Sequence, residues 1–279
     1  MKIRLLLPVA FILAVATVAG AASGTRTVHH SMLEFLDGEL DGLSVGPTGE
    51  LHPAPVSLTR YFTPALYVWS MALDRKGRLI AGTGDDGSVV REDGDEFVEL
   101  AKFPDQLVTD LVDTENGILV ASGPQGRVYR ISSDDAEPGI VLQRDESTVW
   151  ALVESADKGK WLAGVGPDAA LVRFDPADGG EGEVVAEYPA TMVSELLRTE
   201  DSLWLTTDGP AMLLQCPADE DKPSGLRFDA GENEIPAMVP DGEGGVWFLV
   251  LNPGNPDIME DPSTRLMHLR AEGSAEMIW

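Results

Sequence analysis

This sequence predicts an all-β fold, a β-propeller of four-stranded blades, and three observations support it. Five segments share one pattern: Val89-Val90-Arg91-Glu92, Val128-Tyr129-Arg130-Ile131, Leu171-Val172-Arg173-Phe174, Leu213-Leu214-Gln215-Cys216 and Leu266-Met267-His268-Leu269. Their third members, at 91, 130, 173, 215 and 268, are spaced by 39, 43, 42 and 53 residues. A second register agrees: Val68, Val108, Val149, Val193 and Ile235 each head an apolar run, at steps of 40, 41, 44 and 42. Gly-Pro pairs at Gly123-Pro124, Gly166-Pro167 and Gly209-Pro210 recur at one phase, between the second and third runs of a repeat.

The chain opens with Met1-Lys2-Ile3-Arg4, an apolar run over residues 5–22 and the small-x-small site Ala19-Gly20-Ala21. A basic start, an apolar middle and a small-residue end read as a secretory signal over residues 1–21, which implies a periplasmic or extracellular protein. No cysteine follows the run to accept a lipid, and no second apolar stretch is long enough to span a bilayer, so no stable membrane insertion is expected after cleavage. Residues 22–62 read as a leader and a partial repeat: a strand over 32–36, then Leu43-Ser44-Val45, a Gly46-Pro47-Thr48-Gly49 turn and Glu50-Leu51-His52.

Residues 63–279 hold five full repeats. In the first, Val68-Trp69-Ser70-Met71-Ala72-Leu73 is followed by a turn at Asp74-Arg75-Lys76-Gly77, then Leu79-Ile80-Ala81-Gly82, a turn at Gly84-Asp85-Asp86-Gly87, Ser88-Val89-Val90, a turn at Asp93-Gly94 and Phe97-Val98-Glu99-Leu100. Four β-type runs separated by Gly and Asp make one blade. The others parse alike, with innermost first strands expected at 108–112, 149–153, 193–197 and 235–239. Repeat five carries a Pro-, Asn- and Asp-rich insertion over 252–262, read as a loop on one face. Five full repeats plus a partial one predict a five- or six-bladed ring, or part of a larger one.

The chain of 279 residues carries 20 basic and 47 acidic side chains, −27 in all. Removing residues 1–21 takes away Lys2 and Arg4 and leaves 18 basic against 47 acidic, −29. Such a surface repels duplex nucleic acid and anionic lipid, so neither is expected as a partner. Cys216 is the only cysteine, which excludes an internal disulfide, and its place in a third-run core reads as a packed thiol.

The run from Val68 through Thr83-Gly84 resembles the repeat of the two-component-regulator propeller group, and Val149-Trp150-Ala151-Leu152 and Leu203-Trp204-Leu205-Thr206-Thr207 echo parts of it. The resemblance covers residues 68–279 and concerns architecture. In the regulator proteins such propellers are sensor ectodomains.

Chemistry is sparser. The second and third residues of the first strands are Trp69-Ser70, Thr109-Asp110, Trp150-Ala151, Ser194-Glu195 and Pro236-Ala237. Asp110 and Glu195 are thus inner-strand carboxylates on alternate blades, the candidate ligands for a calcium ion, although two acids fall below the usual count of oxygens. Trp69 and Trp150 are candidates for stacking on a ligand, while the tryptophans of the repeat in general are expected to pack between blades. His29-His30 and His52 lie in the leader, and His268 occupies a polar strand position expected to be structural. No catalytic residue is assigned. The expected function is a secreted, non-catalytic binding or scaffold module for an unknown protein or small-molecule ligand, without a cofactor. The alternative is a calcium-assisted hydrolase or lyase of the lactonase or streptogramin-lyase type.

Overall fold

The computed structural model describes residues 42–45, 50–54, 65–132, 137–254 and 262–278. The signal, the 32–36 strand, His29-His30, the 46–49 turn and most of the repeat-five insertion lie outside them. The chain divides into two compact units, Met1–Arg60 and Tyr61–Trp279. In the first, β1 (Leu43–Val45) and β2 (Leu51–Pro53) form an antiparallel hairpin, a two-stranded fragment of the expected partial repeat.

The second unit is a β-propeller. Its described residues contain five four-stranded antiparallel sheets and no helix. Blade one comprises β3 (Val68–Leu73), β4 (Leu79–Thr83), β5 (Ser88–Asp93) and β6 (Glu96–Lys102). Blade two comprises β7 (Leu107–Thr114), β8 (Gly117–Gly123), β9 (Arg127–Ile131) and β10 (Gly139–Gln143). Blade three has β11 (Thr148–Glu154), β12 (Trp161–Gly166), β13 (Ala170–Phe174) and β14 (Glu183–Glu187). Blade four has β15 (Met192–Arg198), β16 (Ser202–Asp208), β17 (Ala211–Pro217) and β18 (Gly225–Gly231). Blade five has β19 (Met238–Pro240), β20 (Val246–Asn252), β21 (Ser263–Leu269) and β22 (Ala275–Met277). Each sheet is a meander in chain order, and all five four-residue cores fall on third strands.

Consecutive blades pack through their first strands, β3 on β7, β7 on β11, β11 on β15 and β15 on β19. The core is accordingly a series of layers between sheets rather than one central mass. Ile80 and Val89 of blade one meet Val108, Val120 and Tyr129 of blade two. Leu119 and Val128 of blade two meet Val149, Val165 and Val172 of blade three, and Trp204 and Leu213 of blade four meet Val246, Phe248 and Leu269 of blade five. Strands covered on both faces can be apolar at every position, which is why the second and third strands read as unbroken apolar runs instead of alternating. The close stacking demands glycine on some second strands. A Cβ on Gly82 would stand 2.2 Å from Val108 Cγ1, and one on Gly164 would stand 2.8 Å from Val193 Cγ1.

Two expectations are revised. The fifth first strand was expected at 235–239 and begins at Met238. Pro236 has no N–H to give the ladder, so pairing there is reduced to the Glu234–Leu251 bridge and the bond from Leu249 N to Ala237 O. The first strand of blade one was expected inside, as were its counterparts, yet Val68, Met71 and Leu73 are exposed, together with Leu66 and Tyr67. Its apolar sequence matches the buried first strands, but within Tyr61–Trp279 no described sheet covers that face as blade one covers blade two.

Candidate functional site

The first strands of blades one to four carry the same irregularity, which β19 of blade five lacks. Val68 pairs with Thr83 and Ser70 with Gly82; Val108 pairs with Ser122 and Asp110 with Ala121; Val149 pairs with Val165 and Ala151 with Gly164; Val193 pairs with Thr207 and Glu195 with Thr206. Each time one extra residue, Trp69, Thr109, Trp150 or Ser194, stands unpaired on the inner strand, a β-bulge at one phase. At the bulge, a side chain of the extra residue or of the one after it reaches the neighbouring blade. Ser70 Oγ donates to Val108 O at 2.9 Å, and Thr109 Oγ1 donates to Val149 O.

Asp110 and Glu195 use this geometry with the polarity reversed. Asp110 Oδ2 accepts the amide of Leu152, on the next blade, at 2.7 Å, and its Oδ1 accepts the amide of Leu111 at 2.8 Å. Glu195 accepts the amide of Met238, again on the next blade. Leu152 and Met238 each lie three residues after the repeat positions Val149 and Ile235. The two carboxylates therefore act as equivalent tethers, from blade two to three and from four to five. Burial pushes Asp110 up to about 6, against the pull of its two amides. Burial pushes Glu195 up to about 8, with the Met238 amide opposing the rise and the Asp110 charge adding to it. The two acids thus sense one another, and Glu195 Oε2 is buried without an acceptor or donor.

These shifts have a sign in stability. In the fold both groups keep a proton at pH values where the unfolded chain has lost it, so the native state binds more protons and stability falls as pH rises from about 4 to about 8. Glu195→Gln should therefore melt like the parent near pH 4.5 and above it at pH 8. Parallel melting profiles would mean that Glu195 is charged in the native state.

Trp69 is exposed, 53 %, and lies over Gly84. Trp150 is half-buried, so the stacking candidates differ in access. Trp204 is enclosed between blades four and five, Trp161 packs on the layer between blades two and three, and Trp247 stacks on His268 with ring centres 3.9 Å apart. His268 Nε2 lies 3.0 Å from Asp241 Oδ2, which accounts for it structurally. Cys216 is buried, with Sγ 2.8 Å from Ser224 Oγ. Among the described residues no three His, Cys, Asp or Glu side chains come together in a metal shell. Calcium takes about six to eight oxygens, and Asp110 has both of its oxygens on amides, so the pair alone does not make a calcium site.

Two structural features went unread in the sequence. Asp74, Thr114, Ser155, Thr199 and Asp241 head the turn after each first strand. Asp74 Oδ1 accepts the amides of Lys76 and Arg78, and Asp241 Oδ1 those of Glu243 and Gly245. Thr114 Oγ1 and Ser155 Oγ accept the amides of Asn116 and Asp157, and the hydroxyls of Thr114 and Thr199 donate to Gly117 O and Ser202 O. The signal was present, since these residues are spaced 40, 41, 44 and 42 apart, the steps of the strand heads. The second feature is Glu220, on the loop between β17 and β18. It is buried and accepts bonds from Ser155 Oγ at 2.7 Å, Ala156 N at 2.6 Å, Arg173 and Arg198. No pattern in the sequence marks it.

Comparison with solved structures agrees with this architecture. The nidogen–laminin complex superposes with a TM-score of 0.59 at 10% identity, over 85% of this chain and 88% of that one. A catalytically inactive virginiamycin B lyase from Staphylococcus aureus, solved with quinupristin, gives 0.59 at 13% identity over 76% and 69%. Regucalcin, a calcium-binding protein from Agrobacterium tumefaciens, gives 0.55 at 11% over 77% and 74%. At such identities the likeness is one of fold. No family model matches the chain, and no curated protein does.

Proposed function

We propose that this chain is a secreted, non-catalytic binding or scaffold module, in the periplasm or outside the cell, whose protein or small-molecule ligand meets the bulged ends of the first strands around Trp69, Asp110, Trp150 and Glu195. The observation behind this reading is that the groups chemistry would draw on are engaged in architecture. Asp110 holds two amides, Glu195 holds one, and His268 is fixed by Asp241 and Trp247. The exposed indole of Trp69, by contrast, offers a free stacking face.

The orphaned Glu195 oxygen beside the Asp110 charge favours a second reading, a calcium-assisted hydrolase or lyase, in which backbone carbonyls and water would complete the shell. A lyase and a calcium-binding protein are among the structures that share the fold, which supports keeping this reading open to test. Calcium titration calorimetry on the parent and on an Asp110→Asn, Glu195→Gln double variant separates the two. No heat from either protein supports the module. Heat from the parent alone would replace it with the calcium reading.

A charge of −27 with no basic run gives no counterion release on a phosphate backbone. Neither duplex DNA nor anionic vesicles should therefore bind at physiological salt, and a salt-sensitive gel shift at micromolar protein would refute this.

A further inference from the structure

The third-strand position that opened the sequence comparison is held by Arg91, Arg130, Arg173, Gln215 and His268. Only the last of these can change its charge near neutral pH. His268 sits on β21 between two carboxylates from different elements. Asp241 Oδ2, on the turn between β19 and β20, lies 3.0 Å from Nε2, and Glu276 Oε1, on β22, lies 3.7 Å from Nδ1. The imidazole is buried and lies flat on the indole of Trp247, with ring planes 8° apart and centres 3.9 Å apart. An aromatic face at that distance attracts a cation.

The two ring nitrogens have unequal partners. Burial raises the Asp241 carboxyl, yet the bond to His268 and the amides of Glu243 and Gly245 hold it below its ordinary value, so Asp241 is an anion that can only accept. A neutral imidazole therefore spends its one N–H on Asp241 and turns the Nδ1 lone pair toward the Glu276 carboxylate, a repulsive contact. A proton on Nδ1 makes the same contact a charge-assisted attraction. The other charges nearby are Glu243 on the turn before β20 and Arg270 and Glu272 on the turn after β21. Arg227 of blade four reaches that second turn at Ala271 O, and β20 contributes the uncharged ring of Trp247.

The strand that carries Glu276 is weakly held. β22 has three residues, all exposed, and pairs with Met267, His268 and Leu269, with Glu276 directly opposite His268. The Ile278 amide adds one bond, to Leu266 O at 2.8 Å. Arg270 also pairs with Glu276 and does so in either state of the histidine.

From this we infer that His268 is a pH-operated latch on the last strand: as the imidazolium it joins Asp241 to Glu276 and fastens β22, and as the neutral ring it repels Glu276 and loosens β22 from the edge of β21. Loosening bares backbone groups of the kind that pair with another strand.

The test is hydrogen exchange of the C-terminal peptide in the intact protein, read by mass spectrometry at about pH 5 and about pH 8, on either side of the histidine range. Rates are divided by those of the unfolded peptide at each pH. Protection should be about three- to tenfold higher at the lower pH. Fluorescence of Trp247, taken as parent minus Trp247→Phe, should fall over the same range, because a protonated imidazole quenches an indole stacked on it. Glu276→Gln, at a half-exposed position, should keep the fluorescence step and lose the pH dependence of protection. His268→Gln should lose both, and if it fails to fold, Glu276→Gln decides. Glu195→Gln should keep both, which separates the latch from the axial acids. Equal protection at the two pH values in the parent, a missing fluorescence step, pH dependence that survives in Glu276→Gln or pH dependence that vanishes in Glu195→Gln each overturns the latch.

Discussion

Trp204→Ala should lower the stability of the propeller by about 3–5 kcal/mol, as expected for a large enclosed aromatic. Trp204 has no exposed surface and is packed by Ala211 and Leu213 of its own blade and by Val246, Phe248 and Leu269 of the next. The Arg227 guanidinium carbon lies 5.7 Å from its ring centre, a cation–π contact that truncation also removes. The indole Nε1 is buried without an acceptor, so Trp204→Phe gives back little in hydrogen bonding and should cost less than alanine. Chemical denaturation reads both, and an alanine midpoint equal to the parent's would mean that blades four and five do not pack through this ring. Half-buried Trp150 should cost less when truncated, although both were expected from the sequence to pack between blades.

The second large effect belongs to Glu220. Glu220→Ala should destabilise by about 3–5 kcal/mol, because removing one member of a buried charge cluster leaves the others unpaired. Buried Arg173 would lose one of its two closest carboxylates, Ser155 and Ala156 would lose their acceptor, and Arg198 its partner. Asp221 reaches Arg173 from an exposed position, 70 %, so Asp221→Asn should cost under about 1 kcal/mol. Equal losses for the two variants would show that the cluster is held by charge alone and not by the enclosed geometry of Glu220.

How far these features could be read beforehand depends on their physical origin. The blades were legible because a buried sheet needs apolar runs of fixed length and turns of fixed chemistry, and both leave periodic marks. The bulges were not, since an extra residue on one strand is defined only by its partner strand. Asp110 and Glu195 stood out as inner-strand acids, but their pairing with Leu152 and Met238 depends on where the next blade lies. Glu220 sits in a loop among other acids, and only burial distinguishes it. The exposure of Val68, Met71 and Leu73 was illegible for the opposite reason: their sequence is that of a covered strand.

The head of each first strand and the residue that opens its following turn are always six apart: Val68 and Asp74, Val108 and Thr114, Val149 and Ser155, Val193 and Thr199, Ile235 and Asp241. The third-strand positions, by contrast, vary in spacing from 39 to 53 residues. The inner strand thus behaves as a ruler, and the outer strands and their loops as slack. Length can be added far from the axis without changing how one blade meets the next. A single residue lost between Val149 and Ser155 would instead move Leu152 out of reach of Asp110 and turn the strand's apolar side outward. Engineering of this scaffold therefore has a natural division, with the outer loops open to grafting and the six-residue segments left untouched.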